Sequence, residues 1–256
     1  MAYTGKVALV TGAGSGMGQL AARTFAQTGA AIAALDVNQT GLAETAKGYD
    51  NLHPFKADVT DYDWLKAVIE EIELRLGPID RVYHAAGIMP LGKILDMDVK
   101  VIHKLMDINY GGTVNITKLT LPQMVERGKG DFITFGSMVG WIPALLTGAY
   151  CASKFAVNAF TEILYHENRD SGVRFACVCP PVVNTPLLDQ GRDTAWPKLL
   201  EKNPAIEPEA VINEVEKALD KGEFWVFPGK GTKIGWRMRR WFPRMIWNYN
   251  HKVEGW

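Results

Sequence analysis

The chain has 256 residues, 47% of them hydrophobic, enough for one large α/β unit with an ample core or for two small domains. Its 28 basic residues balance 28 acidic ones, so no electrostatic footprint of a nucleic-acid partner is present. Cys151, Cys177 and Cys179 form neither a disulfide framework nor a metal-type C-x-x-C, and a reducing cytoplasmic setting fits them.

The opening stretch MAYTGKVALVTG is expected to enter a strand directly, without a signal peptide. No run reaches the roughly 18 apolar residues that a membrane-spanning helix needs. Short apolar runs at 6–11, 30–36, 52–57, 80–86, 131–136, 173–179 and 224–227 read as strands. Longer amphipathic stretches lie between them, most clearly at 61–76, 98–127 and 148–170. This alternation predicts an α/β fold: a doubly wound parallel sheet of about seven strands with helices on both faces, in a single domain. Composition shifts at the insert 186–208, between the sixth strand and its following helix. It shifts again in the tail 230–256, dense in Trp, Arg and Met. The catalytic unit is therefore expected to span 1–229.

After the first strand comes TGAGSGMG, residues 11–18. Gly12, Gly16 and Gly18 allow a tight turn and bring the amino end of the next helix close to a pyrophosphate, where free N–H groups and the helix dipole favour the anion. A glycine-rich loop alone is a weak signal. This one follows a strand, opens a helix and leads to a second strand ending in Asp36, the context that dinucleotide binding requires. A carboxylate at 36 accepts hydrogen bonds from an adenosine ribose and repels a 2′-phosphate. Val37 and Asn38 supply no cation to reverse that preference, so NAD is expected over NADP. The competing role for Asp36 is to cap the following helix.

Tyr150 and Lys154 stand at i and i+4 in AYCASKF, on one helix face. That spacing alone does not separate chemistry from an ordinary surface pair. Together with Thr11 to Gly18, Asp58-Val59, the A-A-G of 85–87, Asn109 and Ser137, it makes the chain, from about residue 6 to residue 227, resemble the short-chain dehydrogenase/reductase family. The resemblance implies a Rossmann-type sheet, NAD(P) across the strand ends and tyrosine-based hydride transfer. It implies catalytic roles for Asn109, Ser137, Tyr150 and Lys154. It places the cofactor against Gly12, Ser15, Gly16, Met17, Gly18, Asp36, Asp58, Val59, Ala85, Ala86, Gly87, Tyr150, Lys154, Pro180, Val183 and Thr185.

An alcohol losing a hydride must also lose a proton, so a base is required at its oxygen. Free tyrosine has a pKa near 10. A lysine ammonium at about 5 Å, with an effective dielectric near 20, interacts by ~3 kcal/mol and is expected to lower the phenol pKa by about 2. Two departures from the family pattern stand out. His84-Ala85-Ala86-Gly87 replaces N-N-A-G, and His84 is expected to take a structural hydrogen-bonding role. Pro180-Pro181 replaces P-G, stiffening the turn before Val183 and removing an N–H. The other histidines (His53, His103, His166 and His251) show no ligand spacing, and no metal is expected.

Met89, Met138, Val139, Leu145, Leu187, Leu188 and Trp196 are expected around the substrate, with 186–208 as a lid. Such a lining suits a bulky apolar secondary alcohol or ketone, steroid-like, long-chain or aromatic. The competing reading on the same fold is an NADPH-linked 3-oxoacyl-type reductase. The non-enzymatic one is an NAD-binding sensor or interaction protein. A homodimer or homotetramer is expected. The tail is expected to dock on the enzyme, at the substrate cavity or a subunit interface, with peripheral membrane contact as its alternative.

Overall fold

In a computed structural model, which describes residues 3–256, strands and helices alternate along most of the chain. The strands are β1 (Val7–Thr11), β2 (Ala31–Asp36), β3 (Leu52–Lys56), β4 (Arg81–His84), β5 (Gly130–Phe135), β6 (Val173–Val178) and β7 (Trp225–Val226). The helices threaded between them are α1 (Gly16–Ala26), α2 (Gln39–Ala46), α3 (Tyr62–Leu76), α4 (Val99–Met106), α5 (Gly112–Glu126) and α6 (Gly148–Glu167). After β6 come α7 (Leu187–Arg192), α8 (Lys198–Glu201) and α9 (Pro208–Lys221). After β7 come α10 (Thr232–Trp241) and α11 (Pro243–Glu254).

All strand pairs are parallel, in the order β3-β2-β1-β4-β5-β6-β7. The chain winds outward from β1 to β3, then returns to start β4 on the other side of β1. That reversal opens a crevice at the carboxyl ends of β1 and β4, where α/β sheets bind ligands. Successive strand residues point to opposite faces and feed two cores. Val10, Ile32 and Ile133 pack with Phe25 of α1 and Val215 of α9. Leu9, Ala33 and Phe132 pack with Ile69 of α3 and Met124 of α5. Among the described residues, no helix is long and apolar enough to cross a membrane.

The strand positions agree with the periodicity to within a few residues. The stretch 98–127 does not form the single helix that its pattern suggests. It breaks into α4 and α5 around a wide π-helical turn, Asp107–Gly111. β4 ends at His84; beyond it Ala85 N–H reaches the Thr11 carbonyl at 3.3 Å, and Ala86 N–H turns to the Thr11 hydroxyl at 3.2 Å. Pro54 is tolerated in β3 because β3 is an edge strand.

At the amino ends of the strands, Arg81 is 1% exposed. It donates to Asp131 at 2.7 Å and to Glu216 of α9, under the rings of Tyr3 and Phe25. Arg81→Ala removes one of the two guanidinium partners of buried Asp131, leaving it Arg174 alone, and takes the partner of Glu216. Stability in urea should fall by about 3–5 kcal/mol, with the crevice at the carboxyl ends of the strands untouched because it lies at the opposite edge.

His84 is fully enclosed between β1 and the π-turn. Its Nδ1 lies 2.8 Å from the Thr11 hydroxyl, which also receives the Ala86 N–H. Burial, and then the charge of Lys154, lower its pKa from 6.5 to about 3. The folded protein therefore keeps this ring neutral where the unfolded chain takes up a proton. The unfolded state binds the extra proton between those two values, so stability is lost as pH falls through 6.5 toward 3. His84→Asn keeps a hydrogen-bonding side chain without the titration. Between pH 7 and pH 5 the wild type should lose about 2 kcal/mol more than this variant, measured by urea denaturation at each pH.

Candidate active site

A cavity of about 630 Å³ opens at the carboxyl ends of the central strands. Ser137, Tyr150 and Lys154 line it. So do Met17, Ala85, Gly87, Pro180, Val183 and Thr185 from the predicted cofactor set, and Met89, Met138, Val139, Leu187, Leu188 and Trp196 from the predicted pocket. Leu145 does not. It sits in the strained bend before α6, next to Leu146 with its φ of 67°, and is partly buried outside the cavity.

Ser137 follows β5 and starts a single 3₁₀ turn, Met138–Gly140, its hydroxyl accepting the Val139 N–H at 3.2 Å. Tyr150 and Lys154 come from the first turns of α6 and are both buried. Lys154 Nζ donates to the Phe135 carbonyl at 2.8 Å and lies 5.8 Å from the centre of the Tyr150 ring. Burial pushes the Tyr150 phenol well above its ordinary value, with a Ser137 hydrogen bond acting against it. The expected lowering by Lys154 is not met. Burial also lowers the lysine itself to about 8, toward its neutral form, so it offers the phenol less charge.

Asn109 does not line the cavity; it holds the wall together. It is 1% exposed, on the π-turn. Its Oδ1 accepts the Ile88 N–H at 2.9 Å and its Nδ2 donates to the Ile88 carbonyl at 3.1 Å. The same Nδ2 donates to the Ser153 hydroxyl at 2.9 Å, which in turn donates to the Tyr150 carbonyl at 2.8 Å. Ser153 went unnoticed in the sequence, although its position inside YCASK was a usable signal.

The loop between β1 and α1 is the expected dinucleotide side. Gly12 has a φ of +67°, and a Cβ there would meet the Ala86 backbone at 2.8 Å. A Cβ on Gly18 would strike the Gly12 carbonyl, so the loop closes onto its helix only without side chains at both places. Ser15 caps α1 by position but makes no side-chain cap bond, which leaves the first-turn N–H groups facing outward for an anion. Gly16 and Met17 begin the helix. These features fit a dinucleotide pyrophosphate.

Asp36 ends β2 beside this loop. Its two oxygens accept the Gly14 N–H at 2.9 Å and the Asn38 N–H at 2.8 Å. The cap of α2 is Asn38, whose Oδ1 accepts the Gly41 N–H, so Asp36 is not a helix cap. No basic side chain pairs with Asp36 among the described residues. Asp58 is turned into its own loop, accepting from the Thr60 N–H at 2.9 Å and hydroxyl at 2.8 Å. Val59 is buried against Gly112 of α5. At the doubled proline, the Pro180 carbonyl accepts the Met138 N–H at 3.0 Å, and Val183 bridges Ile206 to anchor the far end of the insert. Groups of His, Cys, Asp and Glu fit to hold a metal are absent among the described residues.

The tail contributes more of the cavity than its composition indicated. Gly231, Thr232 and Gly235 line it beside Leu199, Leu200 and Asn203 of the insert. Trp236 packs edge-on to Trp141 and stacks with Phe227. Asn250 Nδ2 donates to the Pro143 carbonyl at 3.3 Å. The Glu254 carboxylate accepts the N–H groups of Lys198 and Leu199 at the start of α8, at 3.2 and 2.9 Å.

A family model described as short chain dehydrogenase matches residues 6–196. Oxidoreductase UcpA of Salmonella typhimurium is 34% identical over 220 residues, 84% of this chain and 81% of that protein. Epidermal retinol dehydrogenase 2 of Homo sapiens is 28% identical over 234 residues, 88% of this chain and 74% of that protein. A variant of actinorhodin polyketide ketoreductase solved with NADPH superposes with a TM-score of 0.81 at 25% identity, covering 89% of this chain and 97% of that one. Glycine loop, sheet order and matched length agree, and the chain belongs to the short-chain dehydrogenase/reductase family of NAD(P)-binding oxidoreductases.

Proposed function

We propose that the protein transfers a hydride between NAD(H) and a bulky apolar secondary alcohol or ketone. The observation that carries this is one cavity in which Ser137, Tyr150 and Lys154 face Met89, Leu188, Trp196, Leu199 and Leu200. Such a predominantly apolar lining favours a bulky apolar substrate over a sugar-like or multiply charged one. The name of the retinol dehydrogenase relative supports the same substrate class.

The nicotinamide cofactor supplies the hydride donor or acceptor. The chain's own groups handle the proton and the geometry. The Ser137 hydroxyl orients the substrate oxygen and stabilises charge growing on it. Tyr150 exchanges the proton with that oxygen. Its raised pKa keeps it protonated at neutral pH, ready to donate to a ketone. Lys154 serves the cofactor ribose and, with a pKa of about 8, passes protons at physiological pH. Asn109 is a positioning residue that fixes the Ile88 backbone and the Tyr150 turn. The segment 186–208 acts as a lid, and the active form is a homo-oligomer. The second reading is an NADPH-linked ketoreductase, which the NADPH of the polyketide enzyme favours. Asp36, with no cation beside it, favours NAD.

Tyr150→Phe should lower turnover by roughly 10²–10⁴-fold and leave NAD affinity within a few-fold, as read from rate measurements and cofactor titration on the one variant. Substantial residual turnover removes Tyr150 as the proton carrier. Asp36→Ala should narrow the NAD over NADP preference by roughly 10- to 100-fold, the worth of a hydrogen bond to a charged group, in steady-state assays with both cofactors. A wild type that already prefers NADP refutes the role given to Asp36.

A further inference from the structure

The two tail helices are amphipathic, and only one side of each is used by the protein. On α10, Thr232, Gly235, Trp236 and Arg239 turn inward at helical spacing, and on α11, Ile246, Asn250 and Val253 do. The opposite stripes are open. Ile234 and Trp241 of α10 are 65% and 73% exposed, and Phe242, Met245 and Tyr249 continue the apolar surface into α11. Lys230, Lys233, Arg237, Arg240, Arg244 and Lys252 are exposed around them. The segment from Gly229 to Val253 contains no acidic residue, and the next one, Glu254, is buried under α8.

The charge is local. The chain as a whole is neutral, so this concentration of cations with no counter-charge is a property of one surface. A second copy of the chain is a poor occupant: a twofold contact would set the same cations against each other. An anionic surface neutralises them, and large apolar side chains bordered by Lys and Arg suit the boundary between lipid headgroups and acyl chains.

We propose that α10 and α11 form a docking face for an anionic lipid membrane, lying in its interface without crossing it. The inner side of α10 also lines the cavity through Thr232 and Gly235, so docking sets the cavity's tail-side wall against the lipid. An apolar substrate dissolved in the bilayer then reaches the site without crossing water. That last step rests on the apolar-substrate reading above; the docking itself does not.

The test uses the full-length protein and sedimentation with two kinds of vesicle, phosphatidylcholine alone and phosphatidylcholine with phosphatidylserine. The wild type should bind the second kind, release with added salt, and show tryptophan quenching by brominated lipid. Arg237→Gln/Arg240→Gln should weaken partitioning about thirtyfold, each lost cation counting for roughly fivefold. Trp241→Ser/Phe242→Ser should abolish quenching while leaving NAD binding and solution activity intact, since neither side chain reaches the cavity. Absence of binding to the phosphatidylserine vesicles, or variants that bind as the wild type does, overturns the proposal. So does a wild-type dimer that Trp241→Ser/Phe242→Ser splits in the absence of lipid, which assigns the face to a second copy. Because vesicle binding is read without turnover, an inactive enzyme that still docks counts against the hydride-transfer reading alone.

Discussion

The Asn109 amide bonds both the N–H and the C=O of Ile88, and its remaining donor reaches Ser153. Three pieces of chain that are distant in sequence, the loop after β4, the α4–α5 break and the start of α6, are thereby set in one register. A regular α-helix through 107–111 would place the residue at a different phase and height. The π-turn adds the room that lets the side chain enter between loop and helix. An unmade bond here leaves a buried amide or a buried peptide group without a partner, so the arrangement tolerates little deviation. The alignment of Tyr150 with Ser137 follows from this register.

Burial sets the electrostatics of the same place. Tyr150 and Lys154 are removed from water together, and each is pushed toward its neutral form, the phenol upward and the ammonium down to about 8. A Coulomb estimate from spacing alone captures the attraction between them and omits the larger cost of taking both out of solvent. His84 obeys the same rule, held neutral behind Thr11.

The sheet was legible in the sequence because fully buried parallel strands read as apolar runs between amphipathic helices. The glycine loop, Asp36, Ser137 and the Tyr150–Lys154 pair were legible because their positions at strand ends and on one helix face follow from local geometry. The break in the 98–127 helix was not. Its apolar spacing continues unbroken, and a π-turn is decided by the tertiary bonds of Asn109. Leu145 stands off the cavity for a similar reason: the left-handed Leu146 redirects the chain, and no glycine announces it. The cavity wall supplied by Thr232 and Gly235 depends on how α10 docks, which composition does not encode. The network joining Arg81, Asp131, Glu216 and Arg174 was also invisible, because its members are brought together from four separate elements.

The roof of the cavity is assembled differently from its floor. The floor is the sheet, secured by ladders of main-chain bonds between neighbouring strands. The roof is α7 and α8, six and four residues long, and α8 begins on a carboxylate borrowed from α11. Helices this short do not persist in isolation. Their amides should therefore exchange with solvent deuterium as one cooperative unit, well before those of β1, β4 and β5, in a sub-global opening that leaves the sheet intact. Such an opening widens access to the cavity while its floor keeps its shape.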